Sequence, residues 1–182
     1  MFCGRGNSVV ADVMKRANVG KSFEGGELNS DTTSRDQEQL VRVIFALEAD
    51  MPYETESIWA KAAGNDLFVL DNVPFFAFGV SCGDKVAARI IDDRLRFSGV
   101  VEPSGHSTYR VYLNGGVSQA ASADFARELQ DLGCHREIGT QKFWAFDLPP
   151  KTDIFKVYAV LERGQAEGIW TFEEGHVGHP VS

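Results

Sequence analysis

One short stretch near the middle of the chain, Ser104-Gly105-His106-Ser107-Thr108-Tyr109-Arg110, brings together a histidine, two neighbouring hydroxyls and an arginine. An imidazole can move a proton near neutral pH, hydroxyls can grip an anion, and a guanidinium can stabilise one. With Glu173 or Glu174 as an orienting carboxylate, the set His106, Ser107, Thr108, Arg110 and Glu173 would suit a small hydrolase or transferase. In its plainer reading the same stretch is a sharp polar turn. Gly105 then takes a positive φ, and Ser104, Ser107, Thr108 and His106 satisfy backbone groups.

His106-Ser107-Thr108 is similar to one half of the paired H-x-T motifs of two-histidine phosphoesterases, but no second H-x-T follows. His176-Val177-Gly178-His179 after Glu173-Glu174 offers zinc-type donors, yet its position beside Pro180 near the chain end predicts a frayed terminus, and no metal or other cofactor is expected. Cys3, Cys82 and Cys134 are widely spaced free thiols by expectation, with Cys134 a small buried residue rather than a nucleophile paired with His135. Asn18-Val19-Gly20-Lys21-Ser22 ends like a phosphate-binding loop, but the glycine that motif needs at position 15 is Lys. Phe75, Phe76 and Phe78 are close enough along the chain to form an aromatic partner surface if one face is left uncovered.

These residues need a frame. Residues 1–38 are rich in Gly, Ser, Asn, Asp and Thr and read as a flexible extension, with a short helix over 9–17. From residue 39 the pattern becomes apolar and alternating. Strands are expected at 40–47, 54–62, 66–70, 75–80, 85–91 and 95–101, with turns at Gly64-Asn65 and Asp92-Asp93. That predicts a small twisted sheet or partly open barrel over 39–103. Beyond it come strand 108–113, helix 122–132 closed by Gly133, strand 143–148, helix 154–163 with Asp153 as N-cap and Gly164 at its end, and strand 169–173. This β-α-β-α-β order over 104–182 predicts a two-layer, ferredoxin-like unit, making the chain α+β.

Glu56-Ser57-Ile58-Trp59-Ala60, Leu70-Asp71-Asn72-Val73-Pro74-Phe75-Phe76-Ala77, Gly83-Asp84, the central stretch, Leu132-Gly133-Cys134 and Glu173-Glu174-Gly175 together resemble a bacterial family known only as a domain of unknown function. The resemblance implies a domain and supplies no activity.

A net charge of -8 and scattered Lys and Arg argue against nucleic acid unless the fold gathers a local patch. No apolar run is long enough for a bilayer, so a cytoplasmic protein is expected. The expected function is a non-catalytic domain that binds another protein, a basic one by its charge, in the manner of an inhibitor or immunity protein. The hydrolase centred on His106 and Arg110 is the alternative.

Overall fold

A computed structural model of the chain describes residues 22–24 and 40–180. The expected extension over 1–38, its short helix and the loop-like stretch at 18–22 therefore lie outside the described residues, apart from the strand β1 (Ser22–Glu24). The fold is mixed α and β, mostly strands, with two helices and two sheets.

Five strands form the first sheet's ring: β2 (Leu40–Ala46), β3 (Thr55–Gly64), β4 (Leu67–Leu70), β5 (Lys85–Ile91) and β6 (Arg94–Glu102). Each is antiparallel to the next in sequence. An odd number of up-and-down strands leaves the first and last running the same way, so the closing pair is parallel, Val43 opposite Leu95 and Ile44 opposite Arg96. β1 adds in parallel beside the start of β3. Alternation decides what each strand buries. Val43, Phe45, Ile58, Ala60, Phe68, Leu70, Val86 and Ala88 point inward, and Ala77 and Val80 close the core from a loop. Asn65-Asp66 and Asp92-Asp93 make two-residue turns with positive φ throughout (53° and 59°, 51° and 58°), matching the twist of the strands they join. The first lies one residue later than the sequence suggests.

The second sheet has the order β10 (Trp170–His176), β7 (Ser107–Leu113), β9 (Phe143–Leu148), β8 (His135–Ile138), all antiparallel. Helix α1 (Gln119–Asp131) is capped by Ser118 and ends before Gly133 at φ 96°. Helix α2 (Ile154–Ala166) is capped by Asp153, whose side chain accepts from Lys156 N–H. Leu129, Val157 and Leu161 from the helices meet Tyr109, Val111, Phe146 and Trp170 on one face.

Three expectations need correcting. His135–Ile138 is a strand, so the order is β-α-β-β-α-β. Gly164 does not end its helix: it lies under the buried Trp170, where a Cβ would come within 2.6 Å of the indole, and the helix runs to Ala166. The third is the segment 75–80, which is no strand. Pro74 turns it out of the barrel and it packs against the sheet's other face, with Tyr53, Val73, Phe75 and Phe76 around Phe143 and Ala145. β9 is thus covered on both sides, which is why all six of its residues are buried.

Candidate functional site

The central stretch leaves the barrel at Glu102 and enters β7 at Ser107, and Gly105 does take φ 80°. Buried Asp84 holds this turn. One carboxylate oxygen accepts from Ser81 N–H at 2.8 Å, the other from Ser104 N–H at 2.7 Å, with the Ser104 hydroxyl 2.8 Å away. That hydroxyl also accepts from His106 N–H at 3.2 Å.

His106 projects from the turn towards Asp147 on β9, its Nδ1 2.7 Å from Oδ1. The other oxygen of Asp147 faces Nδ1 of His135 at 3.4 Å. The register explains the meeting, because Asp147 lies opposite both His135 on β8 and Thr108 on β7. Asp147 is almost fully buried, and an ionised carboxylate accepts only, so Nδ1 of His106 is the donor of this pair and Nε2 is the nitrogen left for other chemistry. The His106 side chain is 22% exposed. A histidine fixed in this tautomer with its far nitrogen towards solvent can act as a general base.

The other residues of the expected hydrolase are used elsewhere. Ser107 and Thr108 are fully buried. Nε2–H of His179 donates to Pro149 O at 3.0 Å, which leaves Nδ1 to accept from the Ser107 hydroxyl at 2.7 Å. The same hydroxyl accepts from Gly178 N–H and His179 N–H. Thr108 and Ser81 share a hydrogen bond of 2.8 Å. The 176–179 segment is therefore pinned against β7 rather than frayed, and a Cβ on Gly178 would sit 2.2 Å from His106 O.

Arg110 is 0% exposed, on the sheet face towards the 71–84 segment. It donates to the carbonyls of Pro74 (3.3 Å), Phe76 (3.4 Å) and Ala77, and pairs with Glu173 at 3.1 Å. On the opposite side of that backbone, Glu56 from β3 accepts from Phe75 N–H at 2.6 Å, Phe76 N–H at 2.9 Å and Ala77 N–H at 2.7 Å. One buried irregular segment thus has its donors satisfied by a carboxylate and its acceptors by a guanidinium. Burial pushes the Glu56 carboxyl up from its ordinary value, while the three N–H groups and Arg110 pull it down. Gly175 is needed beside this clasp, since a Cβ there would meet Arg110 Nη2 at 2.9 Å.

Phe75 and Phe76 are buried, so they present no partner surface. Phe78 is 45% exposed and lies under the Arg110 guanidinium, 4.5 Å from ring centroid to Cζ. Glu137, absent from the sequence-based set, accepts from Val73 N–H at 3.1 Å; burial pushes its carboxyl up, and Asp147 and Glu56 add to that. Burial, then the carboxylates of Asp147, Glu137, Asp71 and Asp84, push the Cys82 thiol up to about 12. Cys134 is buried as expected, and burial raises it to about 12 as well. Neither is a ready nucleophile. One sequence signal could have exposed the clasp: Glu56 shares the inward face of β3 with Ile58 and Ala60, where a charge survives only with dedicated partners.

The family model described as "Domain of unknown function (DUF4265)" matches residues 56–172. Among solved structures, the chain is similar to a hypothetical protein from Neisseria gonorrhoeae, with a TM-score of 0.67 at 16% identity, covering 81% of this chain and 100% of that one. At that identity the likeness concerns the fold alone. No curated protein matches the sequence.

Proposed function

We infer that this chain, which belongs to the DUF4265 family, is a non-catalytic domain that binds another protein, of the inhibitor or immunity type. One observation carries the reading. The β5–β6 ribbon exposes Ile90 (75% exposed) and Ile91 (49%) at its turn end and Val100 and Val101 towards its other end, on a fold whose other large apolar side chains are mostly buried. Exposed aliphatic side chains along one ribbon favour a partner that covers them. Affinity capture from a lysate of the source organism, with wild type, Ile90→Ser/Ile91→Ser and His106→Ala, tests it. A stoichiometric protein retained by His106→Ala and lost from the isoleucine variant is the expected result. No partner for any form refutes the reading.

The His106–Asp147 pair favours a second reading, a hydrolase or transferase reduced to that dyad, because Ser107, Thr108, Arg110 and Glu173 are committed to other bonds. Turnover of a phosphoester or acyl substrate by the wild type, abolished in His106→Ala without loss of fold, would replace the first reading.

The organisation follows the same inference. The two sheets support subdomains over 39–103 and 104–182 after an extension at 1–38, and the β-α-β-β-α-β order with sheet order β10-β7-β9-β8 supports a ferredoxin-like second unit. A cytoplasmic, bacterial setting is part of this reading. Among the described residues no helix is long and apolar enough to cross a membrane.

A further inference from the structure

The chain is acidic as a whole, yet its barrel turns a basic face outward. Across the strands β5, β6, β2 and β3 the pairing sets Arg89 opposite Arg96, Arg96 beside Ile44, and Ile44 opposite Ser57. Two residues along the same strands, Ile91 is opposite Arg94, and Arg42 is opposite Trp59. The inward residues of these strands are Val43, Phe45, Ile58, Val86 and Ala88, so by the period of two the arginines share the outer face. Arg42 lies over the Trp59 ring, 4.5 Å from its centroid. Arg89 and Arg94 are exposed and Arg96 is half-buried.

No carboxylate among the described residues pairs with Arg89, Arg94 or Arg96, although Asp92 and Asp93 stand at the turn between them. Nε of Arg96 is buried without an acceptor among the described residues. Two guanidinium groups directly opposite on one face repel, and the pair destabilises the ribbon unless an anion comes between them. Beside them on the same face, opposite Arg94, stands Ile91, 49% exposed.

We propose that this outer barrel face, centred on Arg89, Arg94 and Arg96 and flanked by Ile91, is the docking surface for an acidic, partly apolar protein segment. The proposal rests on the binding reading above and reverses the basic partner that net charge alone suggests. Guanidinium groups take carboxylates in paired hydrogen bonds, and Ile91 supplies the apolar anchor typical of a protein interface. A nucleic acid fits less well. Its backbone would run past the arginines onto a body of net charge -8, and the face offers one aromatic ring, already covered by Arg42, rather than a row for base stacking.

The test is selection of random dodecapeptides by phage display on the full-length protein, followed by affinity measurement on wild type, Arg89→Glu/Arg94→Glu and Phe155→Ser. Phe155 is exposed on α2, away from this face, and serves as the control. Thermal melting confirms that each variant folds. The expected peptides are enriched in Asp and Glu beside apolar residues. They lose about tenfold or more in affinity on the double arginine variant and none on Phe155→Ser. Their binding weakens as salt rises from about 0.05 M to about 0.5 M. Peptides with no acidic excess, or with equal affinity for the arginine variant, overturn this face while leaving a binding domain in place. Recovery of no peptide overturns both readings. Tighter binding of a labelled oligothymidylate, lost in the same variant, overturns the protein partner in favour of nucleic acid.

Discussion

Replacing Glu56 by Gln changes one oxygen for an amide and puts the 74–77 clasp on trial. The carboxylate accepts three backbone N–H groups at 2.6, 2.9 and 2.7 Å, one on Oε1 and two on Oε2. A glutamine oxygen can keep the two bonds to Phe76 and Ala77, but its NH2 then faces Phe75 N–H, donor against donor. Two buried donors are stranded, at about 1–3 kcal/mol each. Against this, the substitution removes a buried charge that desolvation disfavours, the largest influence on that carboxyl. The relief holds the net loss near the low end of that range, about 2 kcal/mol. Urea unfolding followed by circular dichroism reads it directly: with a slope of about 2 kcal/mol per molar, the midpoint falls by about 1 M. Glu102→Gln, at an exposed carboxylate paired with Lys85, is the control and leaves the midpoint in place. A Glu56→Gln midpoint within about 0.2 M of wild type would refute the claim that this carboxylate holds the segment.

Other consequences are as direct. Glu137 has its carboxyl raised above the ordinary value near 4.5, burial first, so the folded state holds a proton that the unfolded chain releases earlier. Its contribution to stability is fully present below about 4.5 and is lost as pH rises through the folded value, so the urea midpoint of wild type should fall across that range more than that of Glu137→Gln. Gly164→Ala gains helix propensity but drives a Cβ into Trp170; the clash wins, costing about 1–3 kcal/mol and altering the near-UV circular dichroism of the indole. In a Cys3→Ser background, Cys82 and Cys134 should resist a thiol reagent at pH 7 and react together on unfolding; fast labelling of either in the native state contradicts the burial that raises both to about 12. Ser107→Ala frees Gly178 and His179 from their shared acceptor, and should make the segment after His176 the first site of limited proteolysis, read by mass spectrometry of the fragments.

Where bonding is local, the sequence is a good guide to this molecule. Alternation marks the barrel strands, Asp92-Asp93 marks a turn because both residues tolerate positive φ, and Asp153 and Gly133 mark helix ends through capping. It misleads where the bonds are distant. Phe75 to Val80 has the composition of a strand, but its N–H and carbonyl groups go to side chains about 20 residues before and 33–36 residues after. His135–Ile138 is short, polar and at a sheet edge, so it carries almost no periodic signal. His106 is legible as a residue of interest, while its partner Asp147, 41 positions away, becomes visible only through the register of β7 with β9. The basic face is hidden for a related reason: composition averages charge along the chain, and pairing between strands is what gathers Arg89, Arg94 and Arg96.

The grip of Glu56 and Arg110 on one stretch of backbone also sets how the molecule comes apart. Glu56 and the 74–77 peptide groups belong to the first half, while Arg110 comes from the second sheet and reaches the carbonyls of Pro74, Phe76 and Ala77 only when the two halves are together. Separating the halves would leave those three carbonyls without their guanidinium and Arg110 with Glu173 alone. Parting the sheets therefore carries a cost of its own, which couples the two cores in unfolding. That cost disfavours an intermediate in which one sheet stands open to proteases or to aggregation.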